Sequence, residues 1–482
     1  MKEKMNYTLL CDFYELTMAN GYFDLGWEDK ITYFDVFFRK VPDNGGFAIA
    51  AGLEQVIEYI ENLRFDDDDI ALLRGKGIFA EQFLQYLRDF KFHGDIYAVP
   101  EGTPVFPNEP ILTVRASAIE AQFMETFILL ALNHQSLIAT KANRICRAAD
   151  GRPVTEFGSR RAQGASAAIL GARAACIGGC AGTACTLSDL LYQTPAGGTM
   201  AHSWVQMFDS EYEAFYEYCR IYPHKPTLLV DTFNVIKSGM PNAIKVFQEF
   251  GITDGAIRLD SGDITYLSKR ARAMFDAAGL PDCRIVVSNA LDENIIRDLL
   301  LQGACIDSFG VGERLITAKS EPVFGCVYKL AAIEDQQGNI IPKIKISENA
   351  AKITTPHFKK VYRIFDKSSG KAQADLVAVY DEIFDDSQPL TIFDPEHPWK
   401  KKTFTNYYMQ ELLVPIFKAG KRVYDCPSVA EIRAYSASQI DMLWDEMKRF
   451  EHPHLYYVDL SEKLWQTKHD LIAANFGEFQ KF

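Results

Sequence analysis

The sequence predicts an α/β fold whose middle portion is a (β/α) barrel, packed on an N-terminal α/β domain and followed by a C-terminal appendage. Three observations carry this. From Val154 onward, short β-branched runs each end in a polar or glycine-containing cluster and lead into a helical pattern. Three of those runs place Asp231, Asp260 and Ser288 at their ends, 29 and 28 residues apart, which is the rhythm of a repeated β-α unit. Finally, 482 residues with 48% hydrophobic and 24% charged side chains match a soluble globular chain long enough for more than one core at about 150 residues per domain.

Taken in order, residues 1–115 mix a strand-like run (32–39, TYFDVFFR) with helical patterns at 53–63 and 80–90, the signature of an α/β domain. The acidic run 66–69 complements the positive end of the helix it opens, or alternatively offers oxygens to a divalent ion. Residues 116–149 are apolar-periodic without Pro or Gly, predicting a helical lead into a barrel spanning 116–325. The barrel runs are 154–161 (VTEFGSRR), 198–203 (GTMAHS), 228–234 (LLVDTFN), 256–263 (AIRLDSGD), 284–289 (RIVVSN) and 305–314 (CIDSFGVGER). Basic strand-like runs at 343–347 and 359–365 predict that 326–365 rejoins the N-terminal domain. Loops around 367–370 and 395–398 lead to an expected mostly helical extension over 366–482, with a helix around 432–449.

Composition narrows the function. Lys and Arg number 51 against 64 Asp and Glu, a formal charge of −13, opposite to what a nucleic-acid or anionic-membrane binder needs. No stretch of 18 uncharged apolar residues exists, so no membrane span is expected. After Met1-Lys2-Glu3-Lys4 the chain reaches Asp12 and Glu15 before any signal-peptide core. Ten cysteines, mostly in apolar or small-residue company, suit reduced thiols, and a cytoplasmic location is expected. Cys176, Cys180 and Cys185 lack a C-x-x-C pair and a nearby His, which argues against a metal site.

Polar residues at the C-terminal ends of barrel strands read as catalytic, although Ser, Asp and Asn there also serve as helix caps. Four clusters go beyond caps. Gly197 to Ser203 presents Thr199 and His202 together; an imidazole with an ordinary pKa near 6.5 can accept a phosphoryl group or shuttle protons. Phe157, Gly158, Arg160 and Arg161 put two guanidiniums beside an aromatic ring, a fork for phosphate or carboxylate. In Arg258-Leu259-Asp260 strand alternation turns the cation and the carboxylate to one face, Arg258 for an anion and Asp260 for ribose hydroxyls or a magnesium shell. Gly310 and Gly312, with Ser288 and Asn289 one strand earlier, let backbone amides approach phosphate oxygens.

These segments, together with DFYELTM (12–18), FFRKVPDNGGFAIAAGLE (37–54), EFGSRRAQG (156–164) and GVGERLITAKSEPVFGCVYKL (310–330), resemble the nicotinate phosphoribosyltransferases over most of the chain. The resemblance implies an irregular (β/α) barrel of the type II phosphoribosyltransferase kind and a homodimer with shared active sites. It implies that nicotinate and 5-phosphoribosyl 1-diphosphate yield nicotinate mononucleotide and pyrophosphate, with Mg²⁺ as cofactor and ATP as co-substrate, its hydrolysis coupled through a phosphohistidine at His202. Nicotinate would lie between Phe157 and Tyr14, the latter from the neighbouring subunit, with Thr199 and Arg258 on its carboxylate. Asp260 would hold the ribose and support catalysis. Arg39, Lys40, Arg160, Ser288, Asn289, Gly310, Gly312 and Thr317 would contact the phosphoribosyl substrate, and Asp231 with Asp260 the metal.

Asn234 stands where related enzymes can carry a further acid, and Ala184 where nicotinamide-using relatives place an aspartate. An acid at 184 would repel a ring carboxylate, so alanine favours nicotinate. The competing readings are a quinolinate phosphoribosyltransferase, which needs neither the histidine nor ATP, and a non-catalytic sensor of pyridines or phosphoribosyl compounds.

Overall fold

The computed structural model describes residues 6–479; Met1-Lys2-Glu3-Lys4, part of the expectation that no export signal is present, lie outside them. The chain divides into two compact units, one built from 1–136, 323–427 and 435–482, the other from 137–322 and 428–434.

In the first unit a seven-stranded sheet runs in the order Ile340–Pro342, Val327–Glu334, Ile31–Phe37, Leu112–Ser117, Asp95–Ala98, Val414–Lys418, Lys421–Arg422, every neighbouring pair antiparallel. Alternation explains its core: Val36, Ile96, Leu112 and Val114 are fully buried. Leu112–Ser117 belongs to this sheet, so the helical lead-in begins at Ala118 rather than at 116, and the units divide at 136/137, not at 115/116. The acidic run proves to be a cap. Asp66 and Asp69 form a reciprocal capping box at the start of helix Asp67–Gly75. Gly52 precedes helix Leu53–Asn62 at φ 105°, and a Cβ there would meet the carbonyl oxygen of Ala131 at 2.5 Å, so only glycine fits.

The C-terminal region departs from the mostly helical expectation. A four-stranded sheet, Tyr407–Glu411, Lys359–Asp366, Ala372–Val379 and Val458–Leu460, closes over Ile364, Leu376, Ile392, Phe404 and Tyr407. Helices are confined mainly to Val429–Asp441 and Glu462–Phe479. The physical reason is the alternation in 359–366, whose apolar residues acquire a partner only when 372–379 folds back antiparallel.

The second unit is a six-stranded, wholly parallel sheet in the order Gly182–Thr183, Val154–Glu156, Ser308–Val311, Arg284–Asn289, Ala256–Leu259, Thr227–Leu229. Helices Ala165–Ile177, Met240–Phe250, Ile264–Ala277 and Glu293–Leu301 connect the strands. Ile257, Leu259, Ile285 and Val287 are fully buried, as are Phe247 and Phe275 on the helices, as a parallel sheet covered by crossover helices requires. Among the described residues the ladder does not close into a ring; a single parallel bridge, Thr183 to Ala196, extends one edge. Five of the six expected runs contain strands. The exception is GTMAHS: 197–201 is irregular and His202 opens the short helix His202–Gln206. The glycine pair 197–198 supplies no side chains to pack, which weakens strand pairing.

No helix among the described residues is long and apolar enough to cross a membrane.

Candidate active site

Because all six strands run in one direction, the residues just past their C-terminal ends gather along a single edge. Register sets who meets whom: Arg258 lies beside Val286 and Leu229, Ser288 beside Gly310, and Glu156 beside both Val311 and Thr183.

At the centre stands His202. Its Nδ1 is 3.1 Å from the hydroxyl of Thr232, while Nε2 faces two carboxylates, 3.9 Å from Asp260 Oδ2 and 4.0 Å from Asp231 Oδ1. The Asp231 side chain is only 2% exposed. Its Oδ2 accepts from the Asp260 amide (3.0 Å) and the Ser261 hydroxyl (2.6 Å), whereas Oδ1 is buried with no partner. Asp260 in turn accepts a hydrogen bond from Ser288.

A buried acceptor without a donor is costly, so Asp231 Oδ1 is a position where a cation or an N–H would be welcome. With Asp260 Oδ2 it forms a two-carboxylate set of hard oxygens of the kind Mg²⁺ takes together with substrate phosphates and water. No group of three or more His, Cys, Asp or Glu able to hold a metal occurs among the described residues, so a cation here would draw its remaining ligands from elsewhere.

Arg258 donates from Nη1 to the Thr199 hydroxyl at 2.6 Å, a contact across 59 residues of chain. Burial pulls its guanidinium below the usual arginine range, and the carboxylates of Asp260 and Asp231 oppose that shift. Its Nε is buried without a partner, leaving a cation with donors to spare for an anionic ligand.

Phe157 follows strand Val154–Glu156, its amide held by the Val311 carbonyl at 2.8 Å. The ring lies directly on Gly310: a Cβ at 310 would sit 2.4 Å from both Cδ2 and Cε2. The preceding residue, Glu156, is fully buried and accepts from the Thr183 hydroxyl at 2.6 Å and from the Gly158 amide; burial raises its carboxyl above the usual range. The neighbouring edge residue, Ala184, is exposed.

The second unit therefore brings Phe157, Thr199, His202, Asp231, Arg258, Asp260, Ser288 and Gly310 to one edge. Arg160 is exposed, and its charge acts on Arg258. Asn289 is exposed, its side-chain oxygen taken by the Ala290 amide. The Gly312 carbonyl accepts from the amides of Leu315 and Ile316. The Thr317 hydroxyl donates to the Glu313 carbonyl of its own helix at 2.7 Å. Tyr14, Arg39 and Lys40 belong to the first unit. There Tyr14 is 43% exposed on helix Phe13–Asp24, and the Arg39 guanidinium stands 5.4 Å from the Phe37 ring.

Sequence reasoning overlooked the parts played by Thr232, Ser261 and Glu156. Thr232 adjoins a strand-end aspartate, a position that could have drawn notice. Glu156 carries no such signal, since its importance follows from burial.

Comparison with known proteins gives the family of the chain. Residues 9–133 match the nicotinate phosphoribosyltransferase N-terminal domain, and 358–468 the C-terminal domain of the same family. A nicotinate phosphoribosyltransferase of Bacillus subtilis is 45% identical over 464 residues, covering 96% of this chain and 94% of that protein. One from Mycobacterium tuberculosis is 39% identical over 95% of this chain and 92% of its own length. The crystal structure of human nicotinic acid phosphoribosyltransferase superimposes with a TM-score of 0.84 at 27% identity, over 96% of this chain and all of that one. The two matched family domains, the identity over nearly the whole chain and the shared fold together establish that this chain belongs to the nicotinate phosphoribosyltransferase family.

Proposed function

We propose that this chain joins nicotinate to 5-phosphoribosyl 1-diphosphate, releasing nicotinate mononucleotide and pyrophosphate for NAD biosynthesis, and that it couples the reaction to ATP through His202. The observation that carries the reading is the strand-end constellation: a flat aromatic ring, an Arg–Thr pair and an imidazole flanked by two carboxylates on one edge of a parallel sheet.

Each group has a chemical task. Phe157 offers a face for the pyridine ring, with Tyr14 of a neighbouring subunit opposite it in a homodimer. Arg258 and Thr199 grip the ring carboxylate and so orient the pyridine nitrogen toward the ribose C1. That nitrogen is the nucleophile; the bond from C1 to the diphosphate oxygen breaks, and its electron pair leaves with pyrophosphate. Positive charge grows on C1 as this happens, and the Asp260 carboxylate stabilises it while holding the ribose hydroxyls. Asp231 and Asp260 would hold Mg²⁺, which when bound neutralises charge on the departing diphosphate. Ser288, Asn289, Gly312, Thr317, Arg160 and, from the first unit, Arg39 and Lys40 are assigned to the phosphoribosyl substrate. His202 accepts the phosphoryl group of ATP, and the irregular barrel is the framework in which these strand ends enclose the substrates. A cytoplasmic location suits this chemistry.

The test is mass-spectrometric product analysis with Mg²⁺, 5-phosphoribosyl 1-diphosphate and either nicotinate, nicotinamide or quinolinate, each with and without ATP. Nicotinate mononucleotide from nicotinate alone, with ADP accumulating alongside, is the expected result. Turnover of quinolinate, or nicotinate binding without turnover, would overturn it. In His202→Ala, ATP hydrolysis and ATP stimulation should vanish while some transfer remains, because the pyridine attacks without the imidazole.

A further inference from the structure

We propose that Glu156 is a positioning residue for nicotinate: its carboxylate holds the turn that carries the Phe157 ring and ties that turn to the neighbouring strand end at Thr183. This rests on, and deepens, the reading of Phe157 as the face for the pyridine.

Register explains how one residue can do both. Val311, Glu156 and Thr183 are the last residues of three adjacent parallel strands and lie level with one another. The Glu156 side chain is fully buried, and each of its oxygens has its own donor: Oε1 accepts from the Gly158 amide and Oε2 from the Thr183 hydroxyl at 2.6 Å. The Thr183 oxygen accepts in turn from the Cys185 amide at 2.9 Å, so its single proton is directed at Glu156. A buried carboxylate met by an amide and a hydroxyl rather than by a cation is a costly way to join two strands. A side-chain amide in its place would turn its own N–H groups on one of these donors and leave that donor buried without an acceptor. The turn is built around the carboxylate. A Cβ at 158 would stand 2.7 Å from Oε1, so glycine is what lets the amide settle there. Phe157 is thereby fixed on both sides, its own amide on the Val311 carbonyl at 2.8 Å and the next amide on Glu156. With two consecutive amides anchored, the backbone at 157 has little freedom, and the directions open to the ring follow from that backbone.

The experiment compares Glu156→Gln, which keeps the shape and loses an acceptor, with Thr183→Val, which removes the hydroxyl, and Thr183→Ser, which keeps it. Thermal melts check that all are folded, and formation of nicotinate mononucleotide is measured with each substrate varied in turn. Glu156→Gln and Thr183→Val should raise the nicotinate KM about tenfold, the size of one hydrogen bond to a charged group. The phosphoribosyl diphosphate KM and kcat should stay within about twofold of native, because the ring serves binding of the pyridine. Thr183→Ser should restore the native KM, and the double variant Glu156→Gln/Thr183→Val should be no worse than either single one, since both break the same bond. An unchanged nicotinate KM, an equal loss in Thr183→Ser, or a loss spread over both substrates and kcat overturns the proposal. Should Glu156→Gln fail to fold, the Thr183 pair still decides. Phe157→Leu separates the two readings: an unchanged nicotinate KM there overturns the platform itself, whereas a raised KM there with none in Glu156→Gln overturns only the role of Glu156.

Discussion

Gly310→Ala puts the packing of the site to a direct test. The added Cβ would lie 2.4 Å from Cδ2 and Cε2 of Phe157, against an ordinary contact of 3.4–4 Å, so one partner must yield by at least 1.0 Å. The added carbon has little room, because Ser288 Cβ also stands only 3.3 Å from it. The Phe157 backbone is pinned to the Val311 carbonyl, which leaves rotation of the half-buried ring as the cheapest response. Overpacking of this kind costs about 1–3 kcal/mol. If the ring is the platform for the pyridine, about 1–2 kcal/mol of that should appear as weaker nicotinate binding, a rise in nicotinate KM of roughly 5–30-fold. Steady-state formation of nicotinate mononucleotide, with each substrate varied in turn, separates this from the alternative that Gly310 is a phosphate contact. Stacking predicts a raised nicotinate KM with the phosphoribosyl diphosphate KM within about twofold of native. The reverse pattern, or no change in either constant in a folded variant, would refute the reasoning.

The Glu15 carboxyl is fully buried with one oxygen unpartnered, and burial raises its pKa from an ordinary 4.5 to about 7. Between those values the folded state binds the proton that the unfolded chain has released, so stability falls as pH rises from 4.5 to about 7. At about 1.4 kcal/mol per pH unit the span amounts to roughly 3 kcal/mol, and Glu15→Gln should gain Tm over the native protein at pH 8 but much less at pH 5; an equal difference at both pH values would exclude this. Glu293 is shared by two buried cations, with Lys141 at 2.8 Å and Arg144 at 3.0 Å. Glu293→Gln should therefore lower stability by about 3–5 kcal/mol in denaturant unfolding, and an unshifted midpoint would refute it. Arg258→Ala should weaken nicotinate binding by about 2–4 kcal/mol, and with Thr199→Val in a double-mutant cycle the losses should be non-additive, since both side chains serve one carboxylate. Additive losses would assign them to different groups.

Local patterns were enough to read much of this molecule. The β-branched runs ending in Asp231, Asp260 and Ser288 predict parallel strands whose ends carry chemistry, because strand propensity and the placing of polar residues at strand ends are short-range properties. The acidic run at 66–69 was legible as a helix cap for the same reason. Tertiary structure decided the rest. The strands at 359–366 and 372–379 hold one another through cross-strand pairs that no single segment contains. Whether GTMAHS would be a strand turned on the absence of a continuous partner beyond Ala196. Gly310 reads in the sequence as a phosphate-loop glycine, yet its lack of a Cβ is required by a ring more than 150 residues earlier. His202 meets Thr232 across 30 residues and Arg258 meets Thr199 across 59. Those meetings depend on which strands lie side by side and in what register, and register is settled by burial of the whole sheet rather than by any residue's neighbours in the chain.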